Sequence, residues 1–185
     1  MSAPTTEPTS TSTIWTIDPR HTAIDFTVRF LKLSSVRGYF TDYHGDIVFD
    51  RDETKSSVRV AIATTSIETG DQHRNAHLRT ADFLDAAAHP TITFVSKNVR
   101  STGGEDLRII GDLTIRGVTR EIAIDATYLG RDRLPDGREV IAFEGSTVIK
   151  RKDYGVSFNF AVDRGAVMIG DDVKISLDVQ AIRTS

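Results

Sequence analysis

Apolar and polar residues alternate with a period of two along most of the chain from Ile14 onward. Ile24, Phe26, Val28 and Phe30 alternate with Asp25, Thr27 and Arg29, and Val58, Val60 and Ile62 with Ser57, Arg59 and Ala61. Leu107, Ile109, Gly111, Leu113 and Ile115 share one face, as do Ile122, Ile124, Ala126 and Tyr128, and then Ile141, Phe143, Gly145, Thr147 and Ile149. The C-terminal run is the most regular: Val173, Ile175, Leu177 and Val179 against Lys174, Ser176, Asp178 and Gln180. Two more strands are expected around 43–50 and 91–99. Half-buried antiparallel strands need this alternation, because successive side chains point to opposite faces of a sheet. Turn signals separate the runs, at Arg51-Asp52-Glu53, Gly103-Gly104-Glu105, Arg116-Gly117 and Pro135-Asp136-Gly137. Eight or so strands at this spacing predict an all-β sandwich or closed barrel. One stretch, 67–89, breaks the pattern. There Asp71 can cap a helix running through His77 and Leu78, and Asp82 a second one through Ala87, before Pro90 returns the chain to strand. The expected architecture is an antiparallel meander interrupted once by a helical insert of about twenty residues.

Composition agrees. Thr, Ile and Val make up 54 of 185 residues, a β-branched share that a helical bundle would not use. Lys and Arg number 23 against 26 Asp and Glu, for a net charge of -3. That balance excludes a nucleic-acid binder whose affinity comes from neutralising phosphates, and a polybasic membrane-surface protein. The absence of cysteine excludes thiol catalysis, disulfides, iron–sulfur clusters and Cys-type zinc sites. Residues 1–13 hold eight Ser/Thr, two Pro and one Glu, and are expected to form a disordered arm ahead of a single domain over 14–185. The arm lacks the basic and apolar regions of a secretory signal, and no run approaches the ~18 apolar residues of a membrane span. A soluble, cytoplasmic protein without stable membrane insertion is expected.

Candidate chemistry is sparse. His73 and His77 are four apart and share a helix face, a spacing that can hold zinc, so a metal-dependent enzyme is one alternative. Arg74, however, stands where a zincin has its glutamate, and a plain hydrogen bond from His77 within the insert is the simpler reading. No Gly-x-Ser-x-Gly elbow, P-loop or dinucleotide fingerprint occurs. Arg151 has the parity of Ile149 and Thr147 and ends a strand, which places a cation at a barrel mouth with Asp153 and Arg74 as expected neighbours. It suits either a polar head group or a salt bridge holding the insert to the barrel. Gly45, Gly111 and Gly145 share the inward parity, where they either open volume or mark bends.

The chain resembles the YceI-like family in a series of motifs. Trp15-Thr16-Ile17-Asp18-Pro19-Arg20-His21 with Phe26-Thr27-Val28 looks like that family's N-terminal strand, and Gly38-Tyr39-Phe40 like its next motif. Ser66-Ile67-Glu68-Thr69-Gly70 and the run from Arg74 to Phe83 resemble its helical insert. Pro90-Thr91-Ile92-Thr93-Phe94, the run from Gly111 to Thr119, and Arg151-Lys152-Asp153-Tyr154-Gly155 follow in the family's order, so the resemblance covers Trp15 to about Ala181. It implies an eight-stranded antiparallel lipocalin-like β-barrel that holds an amphipathic long-chain lipid, typically a polyisoprenoid such as an isoprenoid quinone or prenyl phosphate, as a carrier or sequestering protein. Many members are homodimers, and many are periplasmic. Two residues depart from the family: Phe30 stands for a histidine and Asn75 for an aspartate.

On this reading Phe26, Val28, Phe40, Phe83, Phe94, Ile115, Phe143 and Phe158 line the tunnel, and Arg74, His77 and Arg151 lie at a mouth covered by the insert. No catalytic residue, metal or cofactor is implied. Strands of nine residues give a barrel ~23 Å tall, room for about five isoprene units laid straight. A further alternative is a stress-related interaction module whose filled barrel binds no small ligand.

Overall fold

A computed structural model describes residues 12–160 and 168–184. Of the expected arm, residues 1–11 lie outside the described residues, and Thr13 already belongs to the first strand. Eleven strands follow: β1 (Thr13–Ile17), β2 (Ala23–Phe30), β3 (Ser34–Phe40), β4 (Tyr43–Phe49), β5 (Ser57–Ala63), β6 (Ile67–Glu68), β7 (Thr91–Gly103), β8 (Asp106–Ile115), β9 (Val118–Arg133), β10 (Glu139–Lys150) and β11 (Ile169–Arg183). One α-helix, α1 (Gln72–Leu78), stands between β6 and β7.

These eleven segments make one closed, eight-stranded antiparallel barrel. The hydrogen-bonded order β1-β4-β5-β7-β8-β9-β10-β11 returns to β1, through Trp15 opposite Arg183 and Ile17 opposite Ala181. The other three segments are continuations across breaks. β2 follows β1 along the same partner, pairing β11 from Asp178 to Ile169. β3 precedes β4 and pairs β2, and β6 continues β5 and pairs β3 through Tyr39 and Phe40. Closure through β1 and β11 brings the inward side chains to one interior.

The breaks have local causes. At 18–22 the Asp18 carboxylate turns back to accept from Arg20 N (3.1 Å), and a short 3-10 turn begins at Pro19. The insert opens as expected, with Asp71 Oδ1 accepting from Arg74 N at 3.0 Å to cap α1. The expected second helix does not form. Asp82 gives its carboxylate to His77 rather than to a helix N-terminus, and Asp85 takes a left-handed φ of 49°, so 81–88 is a series of turns. Strands β7 to β11 run 10 to 16 residues, longer than expected. Fifteen residues tilted by ~40° span roughly 38 Å, which relaxes the limit on cargo length. Among the described residues no helix is long and apolar enough to cross a membrane.

Two buried clusters close the ends. Trp15, Ile17, Tyr43, Ile47, Ile141 and Ala181 pack where β1 meets β11. Phe83, Ile92, Phe94, Leu113, Ile124, Ile149, Tyr154 and Val156 pack toward the insert. Asp18 sits beside the first cluster, buried, with His21 Nδ1 at 2.9 Å and Arg20 Nε at 3.3 Å from its carboxylate. Burial pushes its pKa up, but the hydrogen bonds from His21 and Arg20 outweigh that and hold it at about 2. A carboxylate depressed on folding stabilises the fold above its unfolded pKa and loses that contribution as pH falls through the folded value. Wild type is therefore expected to exceed Asp18→Asn by about 2 kcal/mol near neutral pH, with the gap closing as pH falls from ~4 to ~2. Urea unfolding of both proteins across that range checks this; a gap independent of pH would show that the carboxylate charge is not what counts.

Candidate functional site

A cavity of about 880 Å³ fills the barrel between the two end clusters. That is the upper part of the range for small-molecule pockets. Its wall is almost wholly apolar: Ile24, Phe26, Val28 and Phe30 from β2, Val58, Val60 and Ile62 from β5, and Val173, Ile175, Leu177 and Val179 from β11. These inward side chains are only half-buried, although they point away from bulk solvent. In a packed core the same positions would be fully covered by facing residues. Here they border space. A filled barrel is thereby excluded for the described residues.

Polar groups gather at the two ends. Arg29, Ser34, His73, Arg74 and His77 border the end covered by the insert, and Glu53 and Ser56 of the β4–β5 connection, with Ser57 at the start of β5, border the other. Arg116 of the β8–β9 turn ties the insert to the barrel, donating to Phe83 O (2.8 Å) and also to Gly155 O (3.4 Å), and within the insert Arg79 donates to Ile67 O (3.2 Å). Asn75 is buried inside it, accepting from Thr69 N (2.9 Å) and donating to Glu68 Oε1 (2.5 Å). That departure from the family pattern therefore shapes the insert and does not touch the cavity. Phe30, the other departure, lines the mouth.

Of the eleven residues expected at the site, ten border the cavity: Phe26, Val28, Phe40, Phe83, Phe94, Ile115, Phe143, Arg74, His77 and Arg151. Phe158 does not. Its ring packs against Phe83 and edge-on to His77, both at 5.1 Å, and Phe160 borders the mouth in its place. His77 Nε2 lies 2.8 Å from Asp82 Oδ2, the bond within the insert that the simpler reading expected. Among the described residues, His73 and His77 find no third ligand that would complete a metal site. Arg74 donates to Thr69 Oγ1 and Thr69 O, both at 2.8 Å, which leaves its charge at the rim.

Arg151 differs from both expectations. It is 6% exposed, and its guanidinium donates to four backbone carbonyls: Gly170 (2.9 Å), Val156 and Phe158 (2.8 Å each) and Ile169 (3.2 Å). Asp153 does not pair with it, and the side chain holds 156–158 to 169–170 rather than the insert to the barrel. Burial lowers its pKa, with Asp171 acting in the opposite direction. Beside it the Tyr154 hydroxyl is buried with no hydrogen-bond partner among the described residues, and burial raises it to about 12. The inward glycines also divide. A methyl group on Gly111 would lie 2.6 Å from Phe94 Cζ, and one on Gly45 3.0 Å from Ile17 Cδ1, so these two seat a neighbouring side chain. Only Gly145 of the three borders the cavity.

The YceI-like domain matches residues 15–181. The chain belongs to the YceI-like family. A UPF0312 protein of Azotobacter vinelandii is 38% identical over 138 residues, 74% of this chain and 72% of that protein. The crystal structure of the Campylobacter jejuni YCEI protein superposes with a TM-score of 0.72 at 31% identity, over 85% of this chain and 90% of that one. A polyisoprenoid-binding domain from Saccharophagus degradans shares the fold with a TM-score of 0.66 at 15% identity, over 95% and 100% of the two chains. In this YceI-like chain the site residues missed by sequence reading, Val60, Phe160 and Ile169 among them, are ordinary inward or loop apolar residues. Parity alone could have flagged Val60; nothing local marks the other two.

Proposed function

We propose that this YceI-like barrel binds an amphipathic long-chain lipid, a polyisoprenoid such as an isoprenoid quinone or a prenyl phosphate, and acts as its carrier or sequestering protein. The observation that carries the reading is the apolar cavity walled by half-buried side chains. Each methylene moved from water to such a wall contributes about 0.8 kcal/mol, so even two isoprene units give several kcal/mol of gross driving force, from which association and ordering costs of at least ~4 kcal/mol are subtracted. The polyisoprenoid-binding neighbour from Saccharophagus degradans supports the chemical class. Arg29 and Arg74 at the insert end suit a polar or anionic head group held near water while the tail lies inside. Binding is the activity proposed.

Native mass spectrometry and organic extraction of the purified protein test this. The expected result is a co-purifying isoprenoid, or stoichiometric uptake of one from detergent solution. A protein that carries no lipid and takes up neither an isoprenoid quinone nor a prenyl phosphate would remove the proposal.

A further inference from the structure

The hairpin between β2 and β3 forms part of the cavity's insert-end rim. Phe30 and Ser34 border the mouth, Leu31, Lys32 and Leu33 form the turn between them, and Leu31 N donates to Met168 O at 2.7 Å. Leu33 N donates to Phe30 O at 3.1 Å, which closes a turn whose central residues, Leu31 and Lys32, have φ of 52° and 59°. Turns of this kind favour Asn-Gly, because left-handed backbone crowds a side chain. Leucine is a poor choice here on conformational grounds, and a poor one on solvation grounds too: Leu33 is 84% exposed and Leu31 37%. Phe160, 45% exposed, adds an apolar ring at the same mouth.

The charged residues of the turn and its flanks on the hairpin are basic, while on the neighbouring β11 Asp172 is paired with Lys150 Nζ at 3.3 Å and Asp171 accepts from Lys152 N at 3.2 Å. Arg29, Lys32 and Arg37 are exposed on the hairpin, and none of them forms an ion pair among the described residues. Arg74 stands across the mouth. The hairpin's acidic residue, Asp25, lies back from the tip, opposite Tyr39. The net charge of -3 for the whole chain conceals this local excess.

We propose that the β2–β3 tip docks the insert-end rim of the barrel onto an anionic phospholipid surface, where cargo passes between bilayer and cavity. The proposal rests on the lipid-binding reading above and adds the place of exchange. Leucines at an exposed tip can enter the boundary between head groups and acyl chains, while flanking Arg and Lys remain at the phosphates. Three cations and two leucines give reversible docking and no spanning segment. A second copy of the chain fits the tip poorly, because a twofold contact would set these unpaired cations against their own equivalents.

The test uses vesicles of phosphatidylcholine with and without phosphatidylglycerol, and phylloquinone as the cargo probe. Leu31→Asn with Leu33→Ser removes both leucines and leaves a residue suited to the positive φ, so the turn is kept. Wild type is expected to sediment with the anionic vesicles, less so at high salt. The double variant should lose at least about tenfold in vesicle binding and in the rate of phylloquinone transfer from vesicles, with uptake from detergent solution unchanged. Lys32→Glu should weaken binding to the anionic vesicles alone. Wild-type transfer by the double variant would overturn the proposal, and so would wild type ignoring vesicles. A change of oligomeric state in the double variant, with no change at vesicles, would make the tip an interface between copies and overturn it too. Should wild type take up no phylloquinone from detergent, transfer is read with a prenyl phosphate instead; if neither is taken up and no lipid co-purifies, the lipid-binding reading fails and vesicle sedimentation alone decides the docking.

Discussion

Replacing Arg151 by alanine is expected to lower the melting temperature by roughly 10 °C and, in any surviving fold, to change the affinities for charged and uncharged cargo alike. The side chain lies at the end of β10 and gives four hydrogen bonds to carbonyl oxygens, two on the segment after it and two at the start of β11. Alanine would leave those carbonyls without their donor in a buried to half-buried region. Each orphaned buried group costs about 1–3 kcal/mol, and some relax toward solvent, so about 3–5 kcal/mol is the expected loss. Lysine would not rescue it, because three donors on one nitrogen cannot span carbonyls from two segments as a planar fork does. Thermal unfolding of Arg151→Ala and Arg151→Lys checks the stability claim. Affinities for a prenyl phosphate and an uncharged isoprenoid check the rest: a selective loss of the phosphate would show that the guanidinium meets the head group.

Arg151 also marks where sequence reading ends. Its inward parity and its place at a strand end were legible in Ile149-Lys150-Arg151, but its partners are main-chain oxygens, which carry no residue signature. The same holds for the barrel's breaks. Asp18-Pro19 announces one, whereas the steps at 41–42 and 64–66 arise because a coiling strand must change neighbours to close a ring, and no single residue there demands it. β11 could be read from its strict alternation alone. β3 was harder, since Ser34-Ser35-Val36-Arg37-Gly38 offers one large apolar residue in five positions. The second expected helix failed because Asp82, a good cap by type, serves His77 instead. The cavity itself was not legible. An inward valine facing another valine and an inward valine facing space are the same letter, and the difference lies in how far apart the walls stand.

That separation is what a single substitution can remove. Gly145→Phe is expected to abolish lipid uptake while leaving the barrel folded. Gly145 lies on β10 with Ala126 opposite on β9 and Leu177 opposite on β11, so the wall there is built partly from the smallest side chains available. A Cβ at Gly145 would meet Ile124 Cγ2 at 3.3 Å and Ala126 Cβ at 3.6 Å, close but without the overlap that forbids one at Gly111. Its backbone is not left-handed, so a side chain is conformationally allowed. The small shift required of Ile124, and the unfilled volume beside it, set the stability cost at about 1–2 kcal/mol, within the range of mild overpacking. A phenyl ring in the lumen would then occupy the path of an extended chain, and no affinity gained elsewhere on that chain relieves a steric block. Uptake of an isoprenoid quinone from detergent solution should fall by at least about tenfold, the equivalent of losing two buried methylenes. Circular dichroism and melting temperature must be read alongside. A folded Gly145→Phe protein that still takes up the quinone in full would place the cargo somewhere other than this cavity.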